Sequence, residues 1–303
     1  MYTNAPVRSQ VTRAYRRRLG AFEITALSDG YVDLSFNVWQ NIDEQTFDKI
    51  LYDNFLFKAG IRNGITAFII NTGHKIIMVD AGAAGLFGPN SYHFPKNLED
   101  AGLTTSDIDE VIITHAHPDH IGGLFRDGHA TLPNATLRLD QTERDFWTSA
   151  AAQANAPEFM RGWWDAIRPV FESYKDRMST FAPGAALGDG ITALGFPGHT
   201  PGHTGYHVES EGERLLIWGD VAVHHAIQFA HPRASMIFDI DPEAGHKSRL
   251  QGFEMAATER VLTAATHLPF PTFGYVTRRN GAYEWVPEVW QHDLASTPWN
   301  PIA

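Results

Sequence analysis

The stretch Val111-Ile-Ile-Thr-His115-Ala-His117-Pro-Asp119-His120-Ile-Gly-Gly123 decides the fold reading. Its first residues are a short continuous apolar run, the pattern of a strand covered on both faces. If extended geometry persists to residue 117, the two-residue period places His115 and His117 on the same side. Pro118 then stops the strand and can begin a helical turn, which brings Asp119 and His120 around beside them. Charged imidazoles packed this closely would repel one another. Around a divalent metal, the same imidazoles and carboxylate become ligands.

Three further segments carry histidine or aspartate at the end of an apolar run or a helix. They are Phe196-Pro-Gly-His199-Thr-Pro-Gly-His203, Leu215-Leu-Ile-Trp218-Gly-Asp220, and Thr266-His267-Leu-Pro-Phe-Pro. Composition says what such a site can be made of, because the chain has 15 histidines and no cysteine. Disulfides, thiolate metal sites and cysteine nucleophiles are excluded together, so a metal must be held by imidazole and carboxylate. Neither G-x-S-x-G nor a P-loop is present. With 24 basic and 35 acidic residues the net charge is −11, and no basic stripe exists to track nucleic acid.

The chain has 303 residues, 43% hydrophobic and 19% charged, enough for a sizeable core in one large domain or two modest ones. No run approaches the ~18 apolar residues of a membrane span. The arginines Arg8, Arg13 and Arg16–Arg18 read as a solvated arm over residues 1–20, with no apolar signal region behind them, so a cytoplasmic location is expected, or a periplasmic one if a leader has been removed. Strands are expected at Phe22 to Leu27, Ile65 to Asn71 paired with Lys75 to Val79, Val111 to Thr114, Ala135 to Leu139, Ile191 to Phe196, Gly205 to Val208, Arg214 to Trp218 and Phe273 to Val276. Helices are expected at Asp43 to Lys58, with Phe47, Ile50, Leu51 and Phe55 inward, and after Asp241-Pro242, with Leu250, Phe253, Ala257 and Val261 inward. An aromatic-rich helical stretch fills Gln141 to Arg177. No repeat or linker divides the chain, so residues 21–303 read as a single α/β domain in which helices cover two sheets.

The order H-x-H-x-D-H, G-H-T-P-G-H, W-G-D and a late histidine resembles the metallo-β-lactamase superfamily, an αββα sandwich with two mixed sheets. The segments from His115 to Gly123, Trp218-Gly-Asp, Gln228-Phe-Ala, Asp239-Ile-Asp-Pro and His267-Leu-Pro-Phe-Pro are more narrowly similar to the methyl parathion hydrolase branch, from about Phe22 to Val276. The resemblance implies two divalent metal ions, with Zn2+ first and Co2+, Mn2+ or Fe2+ as further candidates. It places His115, His117 and His199 on one metal, Asp119, His120 and His267 on the other, and Asp220 between them. Such a pair, ~3.5–4 Å apart, shares a bridging hydroxide because bound water drops from a pKa of about 15.7 towards ~7. Asp119 and Asp220 are then catalytic, and His203 is left off the metals. Asp80, ending Ile76-Ile-Met-Val-Asp80, is either a strand-end turn aspartate or the carboxylate that orients a ligand imidazole. The resemblance supports the second.

The same branch implies hydrolysis of lactones, aryl esters and organophosphate triesters as small-molecule substrates, in a homodimer, with no nucleic acid or membrane partner. By its pattern Phe87, Trp147 and Trp164 are candidates for an apolar pocket, although tryptophans at helical spacing are equally core residues. Quorum-signal lactonases of the superfamily typically carry a tyrosine three residues after the bridging aspartate, where this chain has Val223. That departure weakens a strict acyl-homoserine lactonase reading without excluding lactones; His224 or His225 are either substitutes for the tyrosine or structural residues. The fold also serves β-lactamase-like and glyoxalase II-like hydrolases, and both stay open here, though Glu284 to Ala303 lacks the basic residues that the latter normally brings.

Overall fold

The computed structural model describes residues 13–56 and 60–294. Seven strands, Ala14–Leu19, Phe22–Leu34, Ile61–Asn71, Ile76–Val79, Glu110–Ile112, Thr136–Asp140 and Met178–Phe181, hydrogen-bond side by side in that order. A second sheet repeats the plan with Ala186–Gly188, Ile191–Gly195, Thr204–Ser210, Glu213–Ile217, Leu262–Ala264, Phe273–Arg279 and Ala282–Pro287. Both sheets are mixed. The expected hairpin pairs Phe68 with Val79, and from Ile76–Val79 onward the first sheet is parallel. In the second sheet only Glu213–Ile217 and Leu262–Ala264 run parallel.

The sheets face each other across a core that joins Ile24, Phe68, Ile77 and Val79 to Tyr206, Val208, Leu215 and Ile217. Helices Gln141–Thr148 and Arg161–Ser173 bury Trp147, Trp164, Ile167 and Phe171 on the outer face of the first sheet. Helix Pro242–Glu259 does the same for the second with Phe253 and Ala256 against Leu216 and Trp218. The result is the expected αββα sandwich. Parallel strands deliver their carboxyl ends to one edge, the place where α/β sheets hold ligands. Asp80, His115 and Asp140 lie there from the first sheet, and Asp220 and His267 from the second.

Three expectations need correction. Arg16–Arg18 are not a free arm but part of strand Ala14–Leu19, paired antiparallel with Phe22–Leu34. Arg17 is buried and grips Glu288 with Nε and Nη2 at 3.1 and 2.9 Å, which ties the first sheet to the end of the second. Arg8 and the other residues before 13 lie outside the described residues. The first helix is shorter than its pattern, Glu44–Asp53, with Asp43 as its cap accepting from Thr46 N at 2.8 Å. Phe55 lies past its end and is exposed, and Lys58 is outside the described residues. On the last helix, Ala256 rather than Ala257 is fully buried and Leu250 is 36% exposed, because the packed stripe is offset by one residue. No helix among the described residues is long and apolar enough to cross a membrane.

Candidate metal centre

Strand Glu110–Ile112 is buried at every residue and leads straight into the histidine segment. Asp80, leaving the neighbouring strand with φ 57°, turns its carboxylate back across that segment. It accepts from Thr114 N, from Thr114 Oγ1 and from His120 Nδ1, each at 2.8 Å. The Asp80 carboxylate is thus in contact with both the Thr114 turn and the His120 ring. Pro118 opens the helical turn Pro118–Ile121, with His117 still extended before it. Gly123 closes the segment where only glycine fits, because a Cβ there would stand 1.8 Å from Ala81 O.

The seven residues expected at the centre converge. His115 Nε2 lies 3.1 Å from His117 Nδ1, which lies 3.0 Å from His199 Nε2. These three form one possible metal-holding group, and Asp119, His120 and His267 form another. His267 Nε2 is 3.3 Å from Asp119 Oδ2. Asp220 sits between the groups, 3.3 Å from His199 Nε2, 3.4 Å from His120 Nε2 and 3.2 Å from His267 Nε2. His203 points elsewhere, its Nε2 accepting from Asp220 N at 2.9 Å.

A metal-binding imidazole needs its other nitrogen held. His199 Nδ1 donates to Asp239 Oδ1 at 2.6 Å, and His267 Nδ1 to Gly64 O at 2.7 Å. With His120 on Asp80, three imidazoles are held through Nδ1 with Nε2 facing inward. On the inner side, His120 Nε2 and Asp220 Oδ1 are buried with no hydrogen-bond partner. Buried polar atoms without partners are costly, and cations placed among these seven residues would satisfy them. The donor set, five imidazoles and two carboxylates, suits two borderline divalent ions. The residues fit the group.

The charges agree. Burial works against ionisation of Asp220, yet the His267 and His120 imidazoles beside it hold the carboxyl well below its usual range. Asp119 is only partly buried, at 16% side-chain exposure, and against the desolvation it does feel His120 and His267 bring it down to about 2. Burial opposes a charge on His199, but hydrogen bonds to Asp220 and Asp239 carry it up to about 9. His115 and His117 go the other way, pushed down by burial and by their neighbouring imidazoles. The carboxylates thus favour the ionised form and His115 and His117 the neutral one, whereas the carboxylates around His120, His199 and His267 favour a proton on those rings, which a cation would have to displace.

A cavity of about 140 Å³ opens above the centre, floored by His117, Asp119, His199, Asp220 and His267. Phe87 lines it. Trp147 and Trp164 do not: both are fully buried with ring centroids 4.3 Å apart, and helix rotation turns Trp163 toward the cavity instead. His224 and His225 are also displaced from it. They stack at 4.7 Å and line a separate cavity of about 340 Å³ behind His267 and Asn63. Residues that sequence reasoning did not single out include Asp239, Glu143, Trp163 and Phe238. Asp239 opens the segment Asp239-Ile-Asp-Pro that contributes to the resemblance, but its partner His199 lies 40 positions away.

A family model described as the metallo-beta-lactamase superfamily matches residues 60–246. Among solved structures, AbOPH, a hydrolase in the beta lactamase superfamily, aligns with a TM-score of 0.89 at 33% identity, covering 93% of this chain and 100% of that one. AidC, a dizinc quorum-quenching lactonase in complex with a hexanoyl-homoserine product, aligns with a TM-score of 0.88 at 26% identity, covering 94% of this chain and 100% of that one. Probable metallo-hydrolases of Mycobacterium tuberculosis and Mycobacterium bovis are 28% identical over 134 residues, which is 43% of this chain and 42% of the length of those relatives. With the sandwich, the strand-end histidines and aspartates and these matches in agreement, the chain belongs to the metallo-beta-lactamase superfamily.

Proposed function

We propose that this metal-dependent hydrolase opens lactones and cleaves aryl esters, with a capacity for organophosphate triesters. The observation that carries the reading is the meeting of the seven-residue centre with an apolar wall in one cavity. Val32, Leu34, Trp163, Met236 and Phe238 stand around ligands of both groups. Divalent cations, if held by His115, His117 and His199 and by Asp119, His120 and His267 with Asp220 between, would supply a nucleophile from water at neutral pH and Lewis-acid polarisation of the substrate oxygen. The chain's own part is positional. Asp220 faces both groups, and the locked imidazoles keep the ligand geometry fixed. The wall takes an acyl chain or aryl group by apolar burial and keeps bulk water out.

The lactone arm of the proposal is supported by the likeness to AidC, which binds a hexanoyl-homoserine product. A strict acyl-homoserine lactonase is the second reading. Val223 lines the cavity and presents no hydroxyl to a lactone oxygen, and His224 and His225 do not line that cavity. Broader ester and lactone chemistry fits that wall better. The phosphotriester arm rests on the resemblance to the methyl parathion hydrolase branch.

The test is a substrate panel on one metal-defined preparation. kcat/KM is compared for dihydrocoumarin, an N-acyl homoserine lactone, an aryl acetate and methyl parathion, before and after chelation. Lactone and aryl ester turnover that disappears with chelation and returns with Zn2+, Co2+ or Mn2+ is expected. Full turnover in a verified metal-free preparation overturns the proposal.

A further inference from the structure

Glu143 lies on helix Gln141–Thr148, is 1% exposed, and touches neither the cavity nor any proposed ligand side chain. Its carboxylate is nonetheless fully used, with two donors on each oxygen. Oε1 accepts from Ala116 N at 2.8 Å and from Trp147 Nε1 at 2.7 Å. Oε2 accepts from Thr200 Oγ1 at 2.7 Å and from Gly202 N at 3.0 Å. Ala116 is the residue between His115 and His117, and Thr200 follows His199. One buried side chain therefore grips the two loops that carry all three histidines of the first group.

The second loop is pressed onto the same helix. A Cβ on Gly202 would lie 2.3 Å from Glu143 N, so the glycine of His199-Thr-Pro-Gly-His203 is what lets the loop dock there. Trp147, held by the same carboxylate, packs edge-on against His117 with ring centroids 5.6 Å apart. The second group has anchors of its own, although Asp80 also holds Thr114 beside His115. His120 is set by Asp80 and His267 by Gly64 O, and neither anchor touches Glu143.

We propose that Glu143 is a positioning residue for one cation site only. Its carboxylate fixes the separation of the His115–His117 loop from the His199 loop, and so sets the affinity of the three-histidine site without setting that of the other. The inference rests on the reading of the seven residues as a two-cation centre. Charge-assisted bonds of this kind hold geometry more firmly than neutral ones, and buried partners of ligand segments typically govern metal affinity about 10–100-fold.

Glu143→Gln is the informative change because it keeps the shape and removes one acceptor. The amide oxygen can hold one loop, while its NH2 meets the donors of the other. Metal content and the two dissociation constants are measured by chelator competition with Zn2+ on the full chain, and Co2+ serves as the spectroscopic probe. One constant is expected to weaken at least about 10-fold and the other to stay within about threefold, with the Co2+ absorption of the weakened site altered. Tyr174→Phe, which removes a buried hydroxyl bonded to Leu132 in the same core, controls for simple destabilisation and is expected to leave both constants alone. If Glu143→Gln does not fold, Thr200→Val removes a single donor, and selective weakening of one site is expected there too.

Wild-type affinities at both sites in the glutamine variant overturn the inference, as does equal weakening of both. A wild-type protein that takes up no metal overturns the two-cation reading instead, so the two failures are distinguishable.

Discussion

His199 donates its Nδ1 proton to Asp239 across 2.6 Å, and that bond turns its Nε2 to face His117 Nδ1 at 3.0 Å and Asp220 at 3.3 Å. Asp239 also accepts from Met236 N at 3.1 Å. Met236 and Phe238 line the cavity, so the segment that holds His199 also builds part of the cavity wall. Asp239→Asn is expected to lower affinity for one metal about 10–100-fold with little change in secondary structure. Metal analysis after dialysis against a weak chelator, read beside a circular dichroism spectrum, checks it. Undiminished metal content would show that His199 is oriented without its partner.

Asp220 carries the other relationship between the groups, its two oxygens within 3.4 Å of His120, His199 and His267. Asp220→Asn keeps the shape and removes the negative charge. Turnover of the best panel substrate is expected to fall by at least about 100-fold while the protein still folds. Steady-state kinetics on a metal-saturated sample decides this, and retention of more than about a tenth of wild-type kcat/KM would contradict the central position given to Asp220.

The neighbouring tryptophans separate substrate binding from stability. Trp163 lines the cavity, whereas Trp164 is buried beside Trp147. Trp163→Ala is expected to raise KM for aryl and long-acyl substrates more than for small esters, with a modest effect on folding. Trp164→Ala is expected to cost about 3–5 kcal/mol of stability, the usual cost of a large cavity in a packed core. Denaturant unfolding and a KM series over acyl length read the two variants together. The reverse assignment of effects would restore Trp164 to the pocket.

His224 gives a pH prediction. Burial, and secondarily His225, push it down to about 3, and its Nδ1 accepts from Ala226 N and Ile227 N at 3.2 and 3.3 Å. The folded state therefore holds the neutral ring, while the unfolded chain protonates near the ordinary value of 6.5. A base depressed in the folded state contributes stability that is present above pH 6.5 and is lost as pH falls from there toward 3. Between about pH 7.5 and 5 the loss attributable to this residue is about 2 kcal/mol. Urea unfolding of the wild type and of His224→Gln at both pH values should show a smaller pH dependence in the variant. Identical slopes would mean that the ring protonates freely in the folded protein.

The histidine segment was legible because its residues are contiguous. A strand period, a proline and a helical turn place four ligand candidates locally, and the absence of cysteine restricts the donor set before any fold is known. The strands easiest to read were buried runs such as Ile65 to Asn71. Short or polar strands, including Met178–Phe181, Ala186–Gly188 and Leu262–Ala264, carry no such pattern and exist because a neighbour supplies their hydrogen bonds. Ala14–Leu19 is the sharpest example. Its consecutive arginines read as solvated until Glu288, 271 positions later, arrives to pair with Arg17.

Residue type and local periodicity, with the resemblance they support, were thus enough for the ligand chemistry, the αββα architecture and the candidate ligand set. They could not say which tryptophan lines the cavity, that His224 and His225 lie outside it, or that Asp239 and Glu143 hold the histidine loops. Each of those depends on helix rotation or on a partner 27 to 57 positions distant. Periodicity says that a helix has a buried face, but the packing of both sheets against their helices selects which side chain the cavity receives.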